Sequence, residues 1–134
     1  MAHRPKSPFI DSPCLFALTG LSNVTNSKNP LSFITHASSL GYYTFLDAAA
    51  LAPSSRISLR AMPVDGMAVS FYKMFGFPTG VGCLVAKKSF LRQLKRPWFA
   101  GGTVDVVQVP GAGFTAAQEI YEQFEVPFLP LTQL

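Results

Sequence analysis

The sequence predicts an α/β fold with a mostly parallel sheet. The apolar residues 14–18 and the aromatic residues 42–46 both have the composition of short buried strands. A loop and a segment with helical periodicity lie between them, and this order favours parallel pairing through a crossover. The 134 residues correspond to one ordinary domain, and a hydrophobic fraction of 49% argues against disorder as the main state.

The first half of the chain supplies its elements in a clear order. Residues 1–13 contain three prolines and predict an irregular lead-in, and residues 19–29 are rich in Ser, Asn and Gly and predict a loop. Asn29 is the predicted N-cap of a helix, Pro30 its first residue, and Gly41 its end. The predicted inner face of this helix consists of Leu31, Ile34, Ala37 and Ser38.

A second set of elements follows. Residues 48–63 form a predicted connection with short helical potential. Residues 67–70 and 81–86 are apolar and predict two strands, which we expect to pair antiparallel because only the loop 71–80 separates them. Residues 88–95 predict a short basic helix.

The C-terminal part is less regular. Residues 96–113 show little periodicity, whereas Thr115 begins a pattern that resembles a capping box and predicts a helix through about Phe124. The predicted organisation has a lead-in, a central α/β part, and a helix with an apolar tail, which are residues 1–13, 14–113 and 114–134.

Composition limits the classes of function. The net charge of +4 is scattered, and we expect the basic residues 87–96 to form a solvated helix face, with no nucleic-acid partner. Cys14 and Cys83 have no metal-ligand spacing, so no metal site is predicted. No apolar run approaches the roughly 20 residues of a membrane span, and the expectation is a cytoplasmic protein without membrane contact.

Polar side chains follow the predicted strands. Asp47 ends one strand, Ser70 and Lys73 follow the next, and Asn23 follows the first. Since the carboxyl ends of parallel strands meet at one edge, these groups could converge there. An amine beside a carboxylate suits pyridoxal phosphate, which needs both. The alternatives are a capping role for Asp47, a surface position for Lys73, and a packing role for Tyr72.

Several motifs narrow these alternatives. The most specific is VSFYKMFGFPTGVG at residues 69–82. The others, in chain order, are SN at 22–23, PLSFI at 30–34, LDAAA at 46–50, LKRPWF at 94–99 and GGTV at 101–104. With these motifs, the chain from Phe16 to Val104 resembles the molybdenum cofactor sulfurase family, within the class V aminotransferase and cysteine desulfurase superfamily.

The resemblance implies a fold and an activity. The implied fold is part of the three-layer large domain of type I pyridoxal-phosphate-dependent transferases, truncated on both sides. The implied cofactor is pyridoxal 5'-phosphate, and the implied active sites lie at a homodimer interface. Enzymes of this kind take sulfur from L-cysteine as a protein persulfide, leave alanine, and in the sulfurases pass the sulfur to the molybdenum cofactor.

The resemblance also implies site residues. Lys73 is similar to the catalytic lysine that bonds to the cofactor aldehyde. The other implied cofactor-binding residues are Asp47 at the ring nitrogen, Ser70 and Tyr72 at the phosphate, Asn23 near the ring hydroxyl or substrate, and Thr103 at a phosphate across the dimer interface. Asn26 stands where the family usually has glycine.

Other features of the family are missing from the chain. No glycine-rich phosphate loop precedes Cys14, and no arginine or cysteine follows Thr103. We therefore expect an incomplete active site and exposed apolar surface. Two alternatives to a sulfurase-like enzyme stay open: a non-catalytic remnant or interaction subunit of a longer homologue, and a lyase or aminotransferase-like step in specialised metabolism.

Overall fold

The computed structural model describes residues 6–7, 10–76, 79–95, 104–110 and 113–118. The backbone divides into two units, Met1–Lys87 and Lys88–Leu134. Within the first unit, strands β1 (Lys6–Ser7) and β2 (Ile10–Pro13) pair antiparallel. This hairpin lies in the stretch predicted as an irregular lead-in, where the prolines hide the strand signal.

The central sheet has four strands in the order β3-β4-β5-β6. They are β3 (Leu15–Thr19), β4 (Tyr43–Asp47), β5 (Gly66–Ser70) and β6 (Gly82–Ala86). The first three are parallel and β6 is antiparallel to β5, which confirms the predicted pairing. An added Cβ at Gly82 would lie 2.5 Å from the Val69 carbonyl oxygen, so only glycine permits this approach of β6 to β5.

The crossover helix α1 (Ser32–Ser39) begins two residues later than predicted. Asn29 is not its N-cap: the position is occupied by Leu31, without a side-chain cap. The Asn29 amide instead donates to the Thr19 carbonyl oxygen at 2.7 Å. The helix ends as predicted, because Gly41 has a φ of 90°, which is easy for glycine and costly for other residues.

The core lies between α1 and one face of the sheet. Ile34 of α1 is 1% exposed, and Leu46 of β4 is fully buried beside Met67 of β5 in the strand register. Leu51 and Val64, from the connection between β4 and β5, complete the cluster. The connection forms turns rather than the predicted short helix. Each such aliphatic side chain contributes about 1.5–3 kcal/mol on burial.

The opposite face of the sheet is apolar and open. Side chains alternate along a strand, so Leu15 and Leu84 lie on the face away from Leu46. Their exposed fractions are 52% and 43%. Parallel sheets are normally covered on both faces, so this surface fits the exposed apolar surface expected from the sequence.

A polar network fastens the sheet at the amino ends of β4 and β5. The Oδ2 atom of Asp65 accepts hydrogen bonds from the backbone N–H of Thr44 at 2.9 Å and from its hydroxyl at 3.2 Å. The Oδ1 atom accepts from the Lys87 ammonium at 2.9 Å. Thr44 is fully buried, so water cannot accept hydrogen bonds from its N–H and hydroxyl groups, and the carboxylate of Asp65 is their acceptor instead.

The second unit contains α3 (Lys88–Leu91), β7 (Val104–Val107) and β8 (Phe114–Ala116), the two strands being antiparallel. The basic helix predicted over residues 88–95 is thus shorter. The capping-box prediction at Thr115 is wrong, since Thr115 lies within β8; residues 119–124 fall outside the described chain. Across the described ranges, no helix is long and apolar enough to cross a bilayer.

Candidate functional site

The carboxyl ends of three parallel strands meet at one edge of the sheet. Thr19, Asp47 and Ala68 are neighbours in the register, and Ser70 lies two residues beyond Ala68. Standard strand spacings place the Cα atoms of Asp47 and Ser70 about 8 Å apart. Both residues belong to the face opposite the buried Leu46, so they share one side of this edge.

Lys73 lies on α2 (Tyr72–Phe75), a single helical turn that follows β5. The predicted loop 71–80 thus contains a turn that the sequence analysis missed. The backbone N–H of Phe75 donates to the Phe71 carbonyl oxygen at 2.8 Å, and Gly76, with a φ of 80°, ends the turn. The turn therefore fixes the backbone that carries Lys73, immediately after the carboxyl end of β5.

The amine of Lys73 contacts a residue 50 positions away in sequence. Its Nζ atom donates a hydrogen bond of 2.7 Å to Oδ1 of Asn23, which lies in the loop after β3. The same Nζ lies 5.7 Å from the ring centroid of Tyr72, within the range of a cation–π interaction. The structure thus brings Lys73, Asn23 and Tyr72 together at the predicted edge, with Lys73 only partly buried.

Asp47 is held at the end of β4 by its own turn. Its Oδ1 atom accepts the backbone N–H of Ala49 at 3.0 Å, and its carbonyl oxygen accepts the N–H of Gly20 at 2.9 Å. The side chain therefore has the capping role that the sequence left as an alternative. That bond engages one carboxylate oxygen, and a carboxylate can accept several further bonds, so capping and cofactor binding are compatible.

The remaining predicted residues have different positions. Ser70 is opposite Gly82 in the ladder between β5 and β6, at the same edge as Asp47. The Tyr72 side chain is 41% exposed. Thr103 lies outside the described residues. Within the described ranges, no three His, Cys, Asp or Glu side chains group as metal ligands.

These groups fit the chemistry of pyridoxal phosphate. Among the residues that the structure describes, the primary amine of Lys73 donates to a neutral amide and forms no salt bridge with a carboxylate. A carboxylate and a hydroxyl, from Asp47 and Ser70, lie on one side of the same edge. This donor set matches a cofactor that has an aldehyde, a basic ring nitrogen and a phosphate.

The role of Asn29 differs from the one that its sequence context predicts. The Asn-Pro pair predicts a helix start, but the Asn29 side chain closes the loop that carries Asn23. No sequence signal separates the two roles, since a residue before proline is biased away from helical geometry and an N-cap is non-helical as well. Asn26, at the family's glycine position, has a φ of 56°, a conformation that asparagine tolerates better than most residues.

The sequence and the fold of the chain are similar to those of known proteins. The model of the aminotransferase class V family matches residues 6–125. A molybdenum cofactor sulfurase from Caenorhabditis elegans is 39% identical over 93 residues, which are 69% of this chain and 13% of that protein. The chain therefore spans a small part of the length of such relatives.

Two solved structures of cysteine desulfurases are also similar. The apo enzyme from Thermococcus onnurineus NA1 has a TM-score of 0.65 and 26% identity, covering 84% of this chain and 28% of that chain. The enzyme from Escherichia coli has a TM-score of 0.64 and 32% identity, covering 78% and 26%. These likenesses confirm the predicted α/β fold of the type I class as a partial domain.

Proposed function

This chain belongs to the class V aminotransferase family, and on that premise we propose that it holds pyridoxal 5'-phosphate at Lys73 as part of an enzyme that removes sulfur from L-cysteine. Enzymes of this family depend on pyridoxal phosphate. The observation that carries the proposal is the 2.7 Å bond from the Lys73 amine to Asn23, at the sheet edge shared by Asp47 and Ser70.

Each residue has a role that follows from its chemistry. Lys73 would hold the cofactor through a covalent bond to its aldehyde carbon, formed with loss of water, and would move a proton at the substrate Cα. Asp47 would keep the ring nitrogen protonated, with its orientation set by the Ala49 N–H bond. Ser70 and Tyr72 would donate hydroxyl hydrogen bonds to the phosphate, and Thr103 would do the same across a dimer interface.

The bound cofactor supplies an electron sink that weakens the bonds around the substrate Cα. Asn23 is suited to orient the ring hydroxyl or the substrate, because its amide already reaches the amine that bonds to the cofactor. The specific assignment as a molybdenum cofactor sulfurase is supported by the 39% identity to the nematode sulfurase. We propose that a dimer, with a second copy or with a longer homologous chain, forms the active site, and that the longer chain provides the persulfide cysteine and the rest of the pocket.

A spectroscopic titration tests cofactor binding. The purified chain, alone and mixed with pyridoxal phosphate, is expected to show a new visible absorbance band that Lys73→Ala abolishes. Lys95→Ala removes an exposed lysine of the second unit and serves as the matched control, with the band retained. A wild-type chain that gives no band, alone or with a longer homologue, contradicts the proposal.

A product assay tests the substrate class. With cofactor and a thiol acceptor, L-cysteine is expected to yield alanine and sulfide in equal amounts, and Lys73→Ala to yield neither. Release of pyruvate and ammonia instead of alanine would assign a different lyase reaction to the same site.

A second candidate function is a non-catalytic interaction subunit. The observation that favours it is the open apolar face with Leu15 and Leu84, which suits a protein–protein contact. In that case the chain is expected to bind a longer homologue with unchanged affinity after Lys73→Ala, and to bind no cofactor itself.

A further inference from the structure

We infer that Asn29 is a positioning residue that holds Asn23, and through it the amine of Lys73; the catalytic meaning of this role rests on the proposed function. Among the described residues, Asn29 forms its hydrogen bonds with Thr19 and Gly20, and none with the amine or with a proposed cofactor ligand. It acts on the loop between β3 and α1, which we call the asparagine loop and define as residues 20–29.

Asn29 closes the base of the asparagine loop with two bonds. Its side-chain Nδ2 donates to the Thr19 carbonyl oxygen at 2.7 Å, and its backbone N–H donates to the Gly20 carbonyl oxygen at 3.0 Å. The chain therefore returns to the end of β3 after ten residues. Without the side-chain bond, only the backbone bridge between Leu21 and Lys28 would hold this return, through the bond from Asn29 to Gly20 and the bond from Ser22 to Ser27.

The base of the loop is seated on the core and on the site. The N–H of Gly20 donates to the Asp47 carbonyl oxygen at 2.9 Å. An added Cβ at Gly20 would lie 2.7 Å from Cδ2 of Leu51, so the backbone packs directly on the core. A displacement at Thr19 or Gly20 is thus transmitted to the strand end that carries Asp47.

The tip of the loop is ordered by its own hydrogen bonds. The Ser22 hydroxyl accepts the N–H groups of Val24 and Thr25, both at 3.2 Å. The backbone N–H of Ser22 donates to the Ser27 carbonyl oxygen, and the Ser22 carbonyl oxygen accepts the N–H of Asn26, both at 3.0 Å. Asn23 lies within this turn, so the backbone that carries its side chain is fixed. The position of the whole turn depends on the base of the loop.

These contacts form one chain from Asn29 to the amine. Asn29 fixes the base, the Ser22 turn fixes Asn23 relative to the base, and Asn23 Oδ1 accepts a hydrogen bond of 2.7 Å from Lys73 Nζ. All of these residues are in the first unit, and the bonds at Asn29 are exposed, so losing one has little effect on folding. The expected effect of losing this bond is local: the position of the Lys73 amine becomes less well defined.

The test is a double-mutant cycle read out without cofactor. Reductive methylation by formaldehyde is followed by mass spectrometry at Lys73 and, as an internal reference, at the exposed Lys95. Asn23→Ala is expected to raise the rate at Lys73 relative to Lys95 about fivefold, since it removes a hydrogen bond to a charged group. Asn29→Asp keeps the shape of the side chain but removes its N–H donor. The methylation rate at Lys73 relative to Lys95 is then expected to rise about threefold.

The cycle separates positioning from a general loss of structure. In the Asn23→Ala background, Asn29→Asp is expected to add no further change, because its effect passes through Asn23. Asn29→Ala is the second variant, in case Asn29→Asp disturbs the far-ultraviolet circular dichroism spectrum. An unchanged Lys73 rate in the folded Asn29 variant, or an additive effect in the double variant, overturns the inference.

The outcome is distinguishable from failure of the proposed function. If the chain binds no pyridoxal phosphate but the cycle shows coupling, Asn29 still positions the amine and only the cofactor proposal is lost. If the visible band forms with wild-type intensity in Asn29→Asp and the cycle shows no coupling, the positioning role is lost and the cofactor proposal stands.

Discussion

Replacement of Asp65 is expected to be one of the more destabilising single changes in the first unit. Asp65→Ala leaves the backbone N–H and the hydroxyl of Thr44 without their acceptor. Thr44 is fully buried, so water cannot replace the lost bonds, and each unsatisfied group costs about 1–3 kcal/mol. The Thr44 hydroxyl can rotate and recover part of this loss, so the expected cost is about 3 kcal/mol in total.

The ion pair with Lys87 contributes much less. Its Nζ lies 2.9 Å from Asp65 Oδ1, but 46% of the Lys87 side chain is exposed. Exposed pairs contribute about 0–1 kcal/mol, so Lys87→Met, which keeps most of the aliphatic stem, is expected to cost less than 1 kcal/mol. The difference in unfolding free energy between the two variants separates the contribution of the buried Thr44 hydrogen bonds from that of the exposed ion pair.

Urea unfolding measures both variants. We expect a lower midpoint with an unchanged m-value for Asp65→Ala, and a midpoint near that of the wild type for Lys87→Met. Asp65→Asn retains one carbonyl acceptor and is expected to fall between them. Equal losses for Asp65→Ala and Lys87→Met would refute the reasoning, because the ion pair and not the Thr44 bonds would then carry the stability.

Three further predictions follow from the fold and the site. Gly82→Ala places a Cβ 2.5 Å from the Val69 carbonyl oxygen and is expected to lower the free energy of unfolding by about 2 kcal/mol in urea titration. Gly76→Ala meets no atom of the described residues within 4 Å, but Gly76 has a φ of 80° and a ψ of −142°, close to a region almost restricted to glycine, so the backbone alone is expected to cost about 1–3 kcal/mol. Leu84→Lys on the open face is expected to reduce self-association in sedimentation velocity without loss of stability, and greater association would contradict an exposed apolar face. Tyr72→Phe is expected to weaken binding of pyridoxal phosphate about threefold and binding of pyridoxal, which has no phosphate, not at all; equal weakening of both would exclude a phosphate contact.

The elements with strong periodicity were predictable from the sequence. The run at residues 14–18, the helical face with Ile34, and the aromatic run at residues 42–46 gave the parallel β3-α1-β4 unit. The strands of two to four residues, such as β1 and β7, are too short for alternation to be visible. Thr115 has a helix-capping pattern, but pairing with β7 outweighs that local preference.

The site was predictable only in part. The rule that parallel strands end at one edge brought Asn23, Asp47 and Ser70 together, and the structure adds the direct bond between Asn23 and Lys73. The side-chain bond of Asn29 was not predictable, because it joins the two ends of a loop whose closure no sequence pattern specifies. Thr103 stays a prediction.

We place the attachment point of the cofactor at the Lys73 amine. The most direct measurement is peptide mapping after borohydride reduction of the chain with one equivalent of pyridoxal phosphate. The cofactor mass is expected on the peptide with Lys73. A label spread equally over exposed lysines such as Lys28 and Lys95 would contradict the claim.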